Sequence, residues 1–384
     1  MRADRYARSM FNAEIRVDLS AVRHNVALLK GRTSAEVMAV VKADGYGHGM
    51  APCARAALAG GATWLGVATL DEALALRAAG FTEPVLAWLL TPGLPLADAV
   101  AVDVDLSVAT LALLDELIAA ARAVGRPARV HLKVDSGLGR GGAAPTDWPA
   151  LVEAATKAAA GGDLEVVGVW SHLANSDVPD HPSIDAQLAE FRAAVDVAAQ
   201  LGVTPRYRHL ANSGATLTRP DTHFDLVRPG IAVYGLSPVP DVGGPADFGL
   251  RPAMTLTAGL VLVKRVPAGS GVSYGHIYTT ERETTLGLVP LGYADGVPRA
   301  GGNVGPVLAA GRRRTVAGRV CMDQLVLDLG DDAAAVGDHV VLFGDGADGA
   351  PTAQDWADAT GTISYEIVTR VGPRVPRVYV GEEG

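Results

Sequence analysis

The sequence predicts an α/β protein: a TIM-type (β/α)8 barrel followed by a smaller, mostly β C-terminal domain. Three observations carry this. Up to about residue 240, short β-branched runs alternate with Ala/Leu-rich segments of helical period, and the alternation occurs eight times. The strand candidates are apolar almost throughout, as strands of a parallel sheet covered on both faces must be. After Gly243-Gly244 the helical segments give way to strand-like runs separated by Gly, Pro and Asp.

Taken in order, the strands are expected at 37–42, 64–68, 84–89, 104–108, 128–134, 165–171, 206–210 and 225–228. Between them lie DEALALRAAG (71–80), TLALLDELIAAARAVG (110–125) and SIDAQLAEFRAAVDVAAQLG (183–202). Their apolar residues recur at helical spacing, and they close on Gly, a favoured C-cap. Eight strand–helix repeats in about 230 residues match the size of a TIM barrel. A doubly wound open sheet could hold the same alternation and ranks second. Beyond the glycine pair, strands are expected within 254–266, 284–291, 323–330 and 338–344, with 13–19 adding an edge strand to them. The domains are read as 13–243 and 244–384.

Composition narrows the function. With 384 residues, 49% hydrophobic and 20% charged, the chain can bury a substantial core. Its 42 acidic against 33 basic groups give a net charge of -9, and no basic stripe appears, which argues against nucleic-acid binding. The opening MRADRYARSMFN has no apolar core of a secretory signal. The Ala-rich stretch 97–124 is broken by Asp103, Asp105, Asp115, Glu116 and Arg122, so it cannot span a bilayer. Cys53 and Cys321 are too few for a disulfide framework or a cysteine zinc site. The expectation is a soluble, cytoplasmic protein with no membrane or nucleic-acid partner and no metal.

In such a barrel the chemistry sits at the C-terminal strand ends. The first strand ends in Lys42 and the glycine-rich loop Gly45-Tyr46-Gly47-His48-Gly49; the fifth carries Lys133 and runs on to Arg140. The sixth ends in Ser171-His172, the seventh in His209 and Asn212-Ser213-Gly214, the eighth in Arg228-Pro229-Gly230. Lys42 closes the apolar run VMAVVK, where desolvation and cationic neighbours lower an amine's pKa and make it able to form a Schiff base. Alone it reads equally as a strand-end lysine snorkelling to solvent. The small-residue turns after the last two strands stand where barrels of this type bind phosphate. A reactive lysine and a phosphate cradle on one rim together point to pyridoxal phosphate.

With these residues assembled, the chain resembles the alanine racemase family over nearly its whole length. The motifs are AVVKADGYGHG (39–49), HLKVDSGLGR (131–140), SHLANSD (171–177), HLANS (209–213), VRPGIAVYG (227–235), VSYGHIY (272–278), GYADGVPR (292–299), CMDQ (321–324) and SYEIVTRVGPRVPRVY (364–379). The resemblance implies Lys42 as cofactor lysine and base, with Tyr274 as the opposing base supplied by the other subunit of a homodimer. It implies Arg228 facing the pyridine nitrogen with His209 behind it, and His172 packed on the ring. Tyr46, Ser213, Gly230, Ile231 and Tyr365 match phosphate contacts. Arg140 and Met322 match substrate-carboxylate contacts, with Asp323 beside Met322. Lys133 matches a lysine often carbamylated and paired to that arginine. Tyr293 and Arg299 fall where the family builds its entrance gate.

The implied chemistry is consistent with these residue types. Racemisation removes the α-proton from one face and returns one on the other, which two opposed bases do most simply. A phenol, with an ordinary pKa of about 10, needs hydrogen-bonding or cationic neighbours such as His172 and Arg140 to act at neutral pH. Three rival functions make different demands on these residues. A non-catalytic pyridoxal-phosphate carrier would need neither the second domain nor Tyr274. A decarboxylase or aldolase on the same barrel would place an acid where Arg228 stands. A serine or broad-specificity racemase differs only in a hydroxyl that a small pocket rejects weakly. The expected role is supply of D-alanine for peptidoglycan.

Overall fold

The computed structural model describes residues 13–381; the opening segment 1–12 and the last three residues of 244–384 lie outside the described residues. The described chain falls into two compact units, one of 22–45 and 50–250, the other of 251–381 with 13–21 and 46–49. β1 (Ala13–Asp18) belongs to the second. The first is built on β2 (Glu36–Val40), β3 (Trp64–Val67), β4 (Val85–Ala87), β5 (Val104–Val108), β6 (Ala128–Lys133), β7 (Leu164–Trp170), β8 (Tyr207–His209) and β9 (Leu226–Val227). They form one sheet in the order β8-β7-β6-β5-β4-β3-β2-β9, with every pairing parallel. The ring closes between β8 and β9, where Asp225 N–H donates to Arg208 O (3.1 Å) and Arg228 N–H to Ala211 O (2.9 Å). All eight expected strands of the (β/α)8 barrel are present.

Local chemistry sets the helices between them. Leu70–Ala78 opens with a capping box, Thr69 accepting from Glu72 N–H while the Glu72 side chain returns to the Thr69 backbone. Leu111–Val124 is capped by Thr110 and stopped by Gly125 at φ +77°, a conformation that favours glycine. Inside the ring, Met38, Trp64, Leu86, Tyr207 and Leu226 pack into one buried layer against Trp88. Further along the strands the interior turns polar, since Arg129, His131 and Lys133 alternate onto one face of β6.

The second unit is mostly β, with a six-stranded, a three-stranded and a two-stranded sheet. Its strands after β1 are β10 (Met254–Gly259), β11 (Leu262–Val266), β12 (Gly271–Val272), β13 (Tyr278–Thr279), β14 (Thr284–Val289), β15 (Pro306–Ala309), β16 (Arg312–Thr315), β17 (Leu325–Gly330), β18 (His339–Phe343) and β19 (Arg377–Val380). The run 254–266 is two strands, because β10 pairs β1 and β18 whereas β11 pairs β14 in another sheet. The segment 13–19 is no edge strand: β1 lies between antiparallel β10 and parallel β19, burying Ala13, Ile15 and Val17. Two helices, Ala353–Thr360 and Ser364–Thr369, accompany these sheets.

Candidate active site

β2 stops at Val40, and Lys42 opens a left-handed turn instead of extending the strand: φ is +53° at Ala43, +52° at Asp44 and +62° at Gly45. For the two side-chain-bearing residues that handedness costs about 1–2 kcal/mol each. Gly45 N–H closes the turn on Val41 O (2.9 Å), Asp44 Oδ1 accepts Met50 N–H (2.8 Å) and Glu72 Oε1 accepts Ala43 N–H (2.6 Å). Lys42 Nζ lies 5.9 Å from the Trp88 ring centre. Burial first, then Arg140, lowers its pKa, with Glu72 opposing.

Around it stands a group of cations. Lys133 Nζ is 4.4 Å and Arg228 Cζ 4.7 Å from the Trp170 ring centre, and Trp170 stacks on His209 at 5.4 Å. Burial, Arg228 and Arg140 lower the Lys133 amine to about 8. Burial pulls the Arg228 guanidinium down to about 9, which leaves it cationic at neutral pH. His172 is held well below its usual pKa by burial and then by Arg228, Arg140, Lys133 and Lys42, so its ring is neutral.

Arg228 is buried with no carboxylate in salt-bridge range among the described residues, and its partners explain how. Nη2 donates to Ser171 O (2.7 Å) and Leu210 O (3.1 Å), with His172 Nδ1 at 3.4 Å; Nη1 donates to His209 Nδ1 (3.0 Å). His209 is neutral, its pKa lowered by burial and then by Arg228 and His131. Its proton therefore sits on Nε2, which donates to His131 Nδ1 at 2.8 Å. His131 Nε2 is left facing Asp105 Oδ1 at 3.4 Å, and Arg129 grips the same carboxylate. Two imidazoles thus stand between a buried guanidinium and a buried carboxylate. Asp105 and His131 were missed by the sequence reading; the signal was His131 two residues before Lys133, on the same face of one strand.

Ser213 Oγ accepts Gly230 N–H (2.7 Å) and Ala232 N–H (3.3 Å), which leaves its own proton to donate. Ile231, beside them, is fully buried. These barrel residues fit pyridoxal phosphate by the chemistry of the set: a depressed amine, a hydroxyl backed by two amides, a donor-only guanidinium, and cations outnumbering carboxylates.

The other expected residues lie in the second unit. The Tyr46 and Tyr365 rings approach with centres 6.3 Å apart. Tyr274 is 71% exposed and Met322 53%. The turn bearing Tyr293 is zipped to Met322, since Tyr293 N–H donates to Cys321 O (3.0 Å) and Ala294 N–H to Met322 O (2.9 Å). Arg374 bridges Asp295 (3.0 Å) and Asp323 (2.8 Å), tying these loops together. Arg299 begins the short turn Arg299–Gly301.

The model of the alanine racemase N-terminal domain matches residues 17–238 and that of the C-terminal domain residues 253–379. The alanine racemase of Salinispora arenicola (strain CNS-205) is 64% identical over 374 residues, spanning 97% of this chain and 100% of that protein. The crystal structure of alanine racemase from D-cycloserine-producing Streptomyces lavendulae superposes with a TM-score of 0.97 at 57% identity, covering 98% of each chain. That from Streptomyces coelicolor A3(2) gives 0.96 at 60% identity, covering 97% of this chain and 99% of its own.

Proposed function

Because the chain belongs to the alanine racemase family, we propose that it works with two bases, Lys42 and Tyr274, on opposite faces of the substrate α-carbon. The reaction is the pyridoxal-phosphate-dependent interconversion of L- and D-alanine, that of an isomerase. When bound, the cofactor supplies the electron withdrawal that makes the α-proton removable. Lys42 Nζ, its pKa lowered by burial and Arg140, takes or returns that proton on one face. The Tyr274 hydroxyl returns or takes one on the other. Arg228 offers only N–H groups, so it would hold the cofactor's ring nitrogen by donating to it, which would moderate the electron withdrawal and disfavour side reactions such as transamination. Ser213, Gly230 and Ile231 serve the phosphate in this reading, as do Tyr46 and Tyr365. Arg140 takes the substrate carboxylate.

The observation that carries this reading is the depressed Lys42 amine on one rim with a buried, donor-only Arg228. Exposure of Tyr274, Met322 and Ile277 on the second unit supports a homodimer in which each protomer lends Tyr274 and Met322 to its partner. Among the described residues no helix is long and apolar enough to cross a membrane. A cytoplasmic role supplying D-alanine for peptidoglycan accords with that and with the reaction. The test follows solvent deuterium into the α-position of both enantiomers. Wild type exchanges and inverts each; Lys42→Ala loses the visible band of the lysine-linked cofactor; Tyr274→Phe keeps the band and nearly stops inversion. Normal inversion by Tyr274→Phe removes the second base.

A further inference from the structure

Beyond capping its own helix, Glu72 has a carboxylate that joins the two turns nearest Lys42. Oε1 accepts Ala43 N–H at 2.6 Å, at the start of the left-handed turn after β2. Oε2 accepts Ala68 N–H at 2.8 Å and Thr69 N–H at 3.1 Å, in the turn after β3. Each oxygen thus serves a different turn, and the residue is anchored in turn by its own N–H on Thr69 Oγ1 at 3.3 Å. An ordinary helix cap accounts for the Thr69 bonds. It does not account for the bond to Ala43, which reaches across to another strand end.

We propose that Glu72 is a positioning residue for Lys42: it fixes the strained turn that aims the side chain from the barrel rim. The geometry requires such a clamp. Ala43 and Asp44 sit at positive φ, and side-chain-bearing residues stay there only where neighbouring groups hold them. With the Ala43 bond gone, the turn relaxes and the Lys42 backbone moves with it. A carboxylate suits both oxygens, because each faces an N–H. An amide would present its NH2 to one of them and lose that turn. Among the described residues, Arg140 opposes the protonated form of Lys42 and Glu72 favours it. His172, electrostatically coupled to Lys42, is neutral.

This inference rests on Lys42 as the cofactor lysine, and the experiment separates the two. Holoenzymes of wild type, Glu72→Ala, Glu72→Gln, Thr69→Ala and Lys42→Ala are compared by thermal melting, by pH titration of the visible cofactor band and by kcat. Thr69→Ala removes the cap hydroxyl but not the Ala43 bond; it melts lower with kcat within about twofold and an unchanged band. Glu72→Ala and Glu72→Gln lose on the order of tenfold or more in kcat, as slight misplacement of a reacting group does, and their Lys42-linked titration moves to lower pH. If both Glu72 variants match Thr69→Ala in kcat and titration, Glu72 is only a cap and the inference falls. If Lys42→Ala keeps the wild-type band, the reading of Lys42 falls first.

Discussion

His172 and His209 carry the clearest pH consequence. Burial lowers both pKa values well below the ordinary value of about 6.5. Between the folded and unfolded values the unfolded chain binds protons that the folded chain does not. The stability of the neutral rings is thus full above about pH 6.5 and is lost as pH falls below it. Denaturant midpoints measured from neutral to acid pH should decline, and His209→Asn, which cannot titrate, should decline less steeply. Equal slopes would show that the imidazole relay takes no part. Lys42 and His172 were legible in the sequence because each closes an apolar run, and His209 and Arg228 because each stands at a strand end just before a small-residue turn. Their neighbours Asp105 and His131 were not, because a polar residue inside a strand shows only its face, and its partner lies on another strand.

At the scale of elements, the relay depends on how closely β6 and β7 approach. A Cβ on Gly168 would lie 2.4 Å from His131 Nδ1, the atom that accepts from His209. Gly168→Ala should therefore lower stability by about 1–3 kcal/mol, the usual cost of overpacking a core, and disturb the cofactor band through Arg228. Equilibrium unfolding together with the visible spectrum checks both. Strand positions were readable from β-branched runs, since burial on both faces forces continuous apolarity. The split of 254–266 into β10 and β11 was not readable, because which sheet a strand joins is set by pairing far along the chain. The same holds for β1, whose partners β10 and β19 lie more than two hundred residues away.

For the whole molecule, the proposed sharing of active sites has an arithmetic consequence. If Tyr274 serves the partner's barrel, Lys42→Ala and Tyr274→Phe protomers complement each other. A mixed dimer then has one intact site, joining the normal Lys42 of one protomer to the normal Tyr274 of the other. Random re-association of equal amounts of the two inactive variants should restore about a quarter of wild-type activity, since half the dimers are mixed and half their sites are intact. No recovery after verified subunit exchange means that Tyr274 acts within its own chain or not at all.

Periodicity and residue choice along the chain specify the strand–helix alternation, the eightfold count, the change of texture after Gly243-Gly244 and the residue types at the strand ends. These are local properties, written in periodicity and in residues that punctuate it. Tertiary structure decided the rest: the left-handed turn that carries Lys42, the clamp of Glu72 across two strand ends, and the path from Arg228 through His209 and His131 to Asp105. The clamp and the path depend on atoms distant in sequence brought into contact across strand ends, and the turn draws on Glu72 beside its own local bonds, so only assembly of the barrel supplies that proximity.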